Sequence, residues 1–144
     1  MIQSNEIFID TAGWANLINP NEDFHSLAAK IYADAVQRGI RLITTNFVIA
    51  ELVAVLTSPM RVPRQTIISA VAGLRSSPKI EIVHIDQMRG EQAWNLLSAR
   101  PDKLWSLVDC ASFVIMQELG ITEALTTDHH FEQAGFIRLL KPRS

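Results

Sequence analysis

The sequence predicts one α/β domain, a mostly parallel central sheet of about five strands with helices on both faces. Three observations predict it. Short runs of strand character alternate with stretches of helical spacing from end to end, which implies right-handed crossovers between parallel strands. Gly, Pro, Asn, Asp and Ser residues punctuate those elements at short intervals, with no linker, repeat or low-complexity tract. The length of 144 residues, 48% hydrophobic and 19% charged, suits a single core-forming unit, so residues 1–144 are expected to be one domain.

The elements follow in order. Glu6-Ile7-Phe8-Ile9-Asp10 is a short strand whose continuous apolar run suits burial on both faces. Thr11 to Asn19 is a short helix stopped at Asn19-Pro20-Asn21. Leu27, Ala28, Ile31 and Ala35 keep helical spacing in a second helix from Phe24 to Arg38, which Gly39 ends. Ile40 to Thr44 is the next strand. Thr45 or Asn46 caps a helix from Phe47 to Thr57, closed by Ser58-Pro59, and Gln65 to Leu74 forms another.

Lys79 to Ile85 alternates strictly, the pattern of a half-exposed or edge strand. Asp86 caps a helix to Ala99, and the charged loop Arg100-Pro101-Asp102-Lys103 leads to a buried helix from Leu107 to Leu119. Ser106 with Asp109 three residues on forms a capping box at its start, and Gly120 ends it. Glu123 to Thr127 is a strand, His129 to Ala134 a short helix, and Phe136 to Leu140 the last strand.

Composition excludes several classes. The net charge of −2 gives no global basic field for nucleic acid or membrane, although without the four acids discussed next the balance would be +2. Cys110 is the single cysteine, so no intrachain disulfide forms, and its apolar neighbours suit a buried thiol. Met1 to Glu6 lacks the positive start and long apolar stretch of a secretion signal, and no apolar run suits a membrane span. A soluble, cytoplasmic protein is expected.

Four carboxylates stand out. Asp10 ends the first strand, where it either caps the following helix or faces the crevice in which α/β sheets bind ligands. Asp128 follows a later strand with the same two readings. Glu51 lies mid-helix among Phe47, Val48, Ala54 and Val55, too deep to cap, so it calls for a proton, a cationic partner or a bound ion. Asp109 opens a buried helix. Carboxylates sharing one crevice repel, and a hard divalent cation, Mg²⁺ or Mn²⁺, resolves the conflict. The chain has no cysteine cluster and no His-x-x-x-His pair, which argues against zinc; the adjacent His129 and His130 are expected to point apart as surface or substrate-edge residues. Ser106 and Ser112 are possible supports that orient water, or simply a cap and a packing hydroxyl. There is no Gly-rich phosphate loop and no Gly-x-Ser-x-Gly elbow.

In this order the residues resemble the PIN-domain nucleases, and more narrowly the VapC-type toxins of toxin–antitoxin pairs, over essentially the whole chain. The resemblance rests on Phe8-Ile9-Asp10-Thr11, on Thr45 to Glu51, on Trp105 to Phe113 and on Thr126 to Phe136. It matches Asp10, Glu51, Asp109 and Asp128 to the family's acidic metal-binding quartet, and it implies a PIN-like fold and Mg²⁺- or Mn²⁺-dependent endoribonuclease activity. One departure is Val108, where many relatives carry Thr. The resemblance also implies a homodimer and an antitoxin partner, expected to land on apolar residues around Leu52 to Leu56.

Arg100 and Lys103, then Arg61 and Arg64, are the candidate RNA-binding cations, and Trp14 and Trp105 flank acidic segments where they would stack on bases. Two rival readings stay open: cleavage of DNA or structured nucleic acid at the same site, and a catalytically weakened domain serving as a binding or regulatory module. A phosphoacceptor receiver is set aside, because its acceptor belongs at the end of the third strand and not on a helix, where Glu51 lies.

Overall fold

β1 (Glu6–Ile9) runs through the middle of the sheet, with Ile7, Phe8 and Ile9 each at most 1% exposed although their side chains alternate between faces. Both faces of the strand are therefore covered, as its unbroken apolar run requires. The computed structural model describes residues 5–142, so the start of the predicted signal-free N-terminus, Met1 to Ser4, lies outside the described residues.

From β1 the chain continues through α1 (Thr11–Ile18) and α2 (His25–Gln37) to β2 (Arg41–Thr45), then α3 (Asn46–Thr57), α4 (Arg64–Ser76) and β3 (Ile80–Val83). It returns through α5 (Gln87–Ala99) and α6 (Leu107–Leu119) to β4 (Glu123–Leu125), α7 (His130–Gln133) and β5 (Ile137–Arg138). The described strands form one sheet in the order β3-β2-β1-β4-β5, parallel throughout. The chain builds outward from β1 to one edge, then crosses back to the other side. The winding thus reverses between β1 and β4, and the carboxyl ends of two such strands part there to leave a crevice.

The fold class is as the sequence predicts. Element ends differ by a residue or two. β3 is the predicted edge strand, with Arg41 and Glu81 paired across its exposed face. The last strand is shorter than predicted because Phe136 turns into an aromatic cluster; beyond β5, Leu139 and Leu140 still donate backbone N–H groups to Ala124 and Thr126.

Two packing features fix the crevice. Gly13 in α1 lies so close to β4 that a Cβ there would sit 2.0 Å from the Leu125 carbonyl oxygen. Phe113 of α6 meets Phe131 of α7 edge-on at 4.9 Å between ring centres and Trp105 at 5.1 Å, tying the start of α6 to the turn after β4. Cys110 is fully buried beside them, and burial raises its thiol pKa to about 11.

Candidate active site

At the β1/β4 switch, register pairs Ile9 with Leu125, so Asp10 and Thr126 leave their strands side by side. Asp10 does both things its position allows. One carboxylate oxygen accepts the Gly13 N–H at 2.8 Å and caps α1; the other accepts the Thr126 hydroxyl at 2.7 Å. Each oxygen keeps a lone pair for a further partner. The side chain is buried, and desolvation, with Asp128 and Asp109 nearby, raises its pKa from 3.8 to about 7.

Thr126 was not singled out from sequence. It is fully buried, and its hydroxyl also accepts the Asp128 N–H at 2.9 Å, so one oxygen spans the ends of both strands. A hydroxyl two residues before an Asp at a strand end was the available signal. Asp128 does not begin α7 directly, as predicted, but its Oδ1 accepts the His130 N–H at 2.9 Å across a turn.

Asp109 sits where the capping box predicts: Ser106 Oγ accepts the Asp109 N–H at 2.9 Å, and the Ser106 N–H donates to Asp109 Oδ2 at 3.1 Å. Its pKa is raised, first by burial and then by Asp128. Glu51 accepts a hydrogen bond from Thr11 at the first turn of α1, and no arginine partner for it is found among the described residues.

The four acids come together. Asp10, Glu51, Asp109 and Asp128 line one cleft of about 460 Å³, with Thr11, Asn16, Thr127 and a fifth acid that sequence reasoning missed, Glu22. No lysine or arginine is among the described residues lining it. Oxygen donors without a protein cation, one of them held near neutral pKa, fit a hard divalent ion. A larger apolar groove between α1, α2, α4 and β3 is separate from this cleft and contains no carboxylate.

Other expectations need correction. The Ser112 hydroxyl is buried and donates to the Val108 carbonyl at 3.0 Å, so it does not face the cleft. The Ser106 hydroxyl accepts the Asp109 N–H in the helix cap. The hydroxyls that donate to the acids come from Thr11 and Thr126. Trp14 and Trp105 are core residues, their indole N–H groups donating to Thr44 and Gln133 at 3.2 and 3.0 Å, so neither is free to stack on a base. Leu52 and Leu56 are fully buried.

Of the candidate cations, Arg100 forms a two-point pair with Asp102 at 3.0 Å and lies 5.3 Å from the Trp105 ring centre. Arg64 reaches toward the Thr57 hydroxyl at 3.5 Å. Arg61 follows Met60, which lines the cleft, and Lys103 stands in the loop before α6. None of the four lines the cleft itself. His129 and His130 do not point apart: their ring centres lie 4.6 Å from each other. His129 precedes the single turn of α7, and both rings fold toward the Asp128 carboxylate.

Residues 7–137 match the family described as PIN domain. The chain is 31% identical over 133 residues to the "23S rRNA-specific endonuclease VapC20" of Mycobacterium tuberculosis, in strains CDC 1551 and H37Rv alike, covering 92% of this chain and 97% of that protein. Among solved structures it is similar to the crystal structure of M. tuberculosis VapC20, described as a sarcin-ricin loop cleaving toxin. That match has a TM-score of 0.83 at 30% identity, over 94% of this chain and 99% of the other.

Proposed function

The chain belongs to the PIN-domain family, and on that premise we propose that it is a divalent-metal-dependent endoribonuclease of the VapC toxin type. The observation that carries the reading is the convergence of Asp10, Glu51, Asp109 and Asp128 on one cleft with no lysine or arginine among the described residues lining it. Asp10, Glu51 and Asp109 are the principal candidates to hold Mg²⁺ or Mn²⁺, with Asp128 completing the set. When bound, such an ion neutralises charge on phosphoryl oxygens and makes water a stronger acid.

The chain's own residues do the rest. Gly13 and Thr126 each donate to one oxygen of Asp10, leaving a lone pair on both, and Thr11 donates to one oxygen of Glu51. The helix cap fixes Asp109, so the acids need little reorganisation when an RNA phosphate arrives. Arg61, next to the cleft-lining Met60, and Lys103, in the loop before α6, are the candidate cations for the flanking phosphates.

The named relatives act on 23S rRNA and its sarcin-ricin loop, which makes a structured ribosomal RNA loop the first substrate to try. RNA and DNA versions of that loop should be digested side by side with Mg²⁺ or Mn²⁺. The expected result is cleavage of RNA, reduced on the order of 100-fold or more by Asp10→Asn. A variant that cuts as fast as wild type would refute the assignment, and equal cleavage of DNA would refute RNA specificity.

A toxin of this type acts in the cytoplasm, as a homodimer, under the control of an antitoxin protein. Because Leu52 and Leu56 are core residues, the apolar surface α3 offers a partner is Val53, together with Ile68 and Val71 of α4 around a shallow cavity of about 240 Å³. No described helix is long and apolar enough to cross a membrane.

A further inference from the structure

His130 turns inward, only 19% exposed, and its Nδ1 lies 3.1 Å from Asp109 Oδ2 and 3.3 Å from Asp128 Oδ1. His129 Nδ1 lies 3.8 Å from the same Asp128 oxygen, and ligand atoms of Asp128, His129 and His130 all fall within 4.8 Å of one another. A tetrahedral ion with bonds of about 2.0 Å separates its donors by about 3.3 Å. His130 Nδ1 therefore stands at nearly that spacing from an oxygen of Asp109 and one of Asp128, and Asp128, His129 and His130 gather two imidazole nitrogens and a carboxylate oxygen into one group.

We propose that Asp128, His129 and His130, with Asp109 beside His130, form a second cation site, distinct in chemistry from the all-oxygen cleft, that takes a borderline transition-metal ion of the Zn²⁺ type. Mg²⁺ prefers oxygen ligands and gives up water reluctantly, whereas imidazole favours the later divalent metals. His130 and Asp128 are the less exposed donors of the group, and His129, with a side chain 64% exposed, is its outer one.

The two sites share Asp109 and Asp128. An ion held by the histidines draws both carboxylates away from the cleft, so Zn²⁺ opposes Mg²⁺ here instead of replacing it. The existence of the histidine site stands on its own geometry. Its effect on cleavage rests on the nuclease reading above.

The test uses the full-length protein and two probes: Zn²⁺ by calorimetry, and Co²⁺ by its visible absorption, which reports coordination directly. Wild type is expected to bind both. His130→Gln should weaken binding about tenfold or more, and the exposed His129→Gln less. Asp10→Asn with Glu51→Gln should leave Zn²⁺ and Co²⁺ binding in place. Absence of binding to wild type, binding indifferent to both histidine variants, or loss of binding in the Asp10→Asn/Glu51→Gln protein would each overturn the proposal. A protein that binds Zn²⁺ in this pattern but never cleaves RNA with Mg²⁺ would instead refute the nuclease reading and leave this site standing. If both hold, Zn²⁺ should inhibit Mg²⁺-supported cleavage by wild type.

Discussion

The carboxyl group of Asp10 combines three roles: helix cap, acceptor for Thr126 and candidate metal ligand. Its pKa of about 7, against 3.8 in the ordinary case, has a consequence for stability. Below about pH 4 the group is neutral in both folded and unfolded chains. Between about pH 4 and 7 the unfolded chain has lost the proton while the folded chain keeps it. The unfolded state then binds fewer protons, so stability of the metal-free protein falls as pH rises through that window and levels off above it. The full difference is at most about 4 kcal/mol. Asp10→Asn should therefore raise the melting temperature of the metal-free protein at pH 8 and leave it near wild type at pH 4. An equal effect at both pH values would show that burial of the charge is not what Asp10 contributes.

At the scale of elements, α6 carries the clearest link between local sequence and site. Its reciprocal bonds between Ser106 and Asp109 secure the helix start and aim the acid at the same time. Ser106→Ala should destabilise the protein by about 1 kcal/mol, read as a fall of about 4 °C in thermal unfolding. No change would mean the cap contributes nothing in solution. This helix was legible residue for residue, because cap, apolar spacing and terminal Gly120 all agree. Strand order was not legible, since nothing in Glu6 to Ile9 states which neighbours it pairs with. Glu51 was legible because a carboxylate among apolar helical neighbours is costly wherever the helix lies. His130 was not: its reading assumed a regular helix over both histidines, and the pull of two carboxylates on its ring depends on long-range folding. Thr126 escaped for a similar reason, its role depending on a partner 116 residues away.

At the scale of the whole molecule, the five-stranded parallel sheet delivers two acids at its switch point and the helices deliver two more. The cleft so formed repels a polyanion until a cation enters. RNA binding by the intact protein should accordingly need divalent metal. With a loop whose scissile phosphate is replaced by a non-hydrolysable linkage as ligand, chelator should weaken binding about tenfold or more, beyond what matched ionic strength explains. Affinity indifferent to chelator would place the main RNA contacts outside the acid cleft.

The missing side chain at Gly13 bears on how such a protein can diversify. The 2.0 Å that would separate a Cβ there from the Leu125 carbonyl oxygen leaves no room for a side chain between α1 and the end of the fourth strand. Asp10 caps that helix and accepts from Thr126, the residue after Leu125, so the first acid sits beside this close approach. Variation at Arg61 leaves that approach untouched, whereas any side chain at position 13 would push helix and strand apart beside the acids.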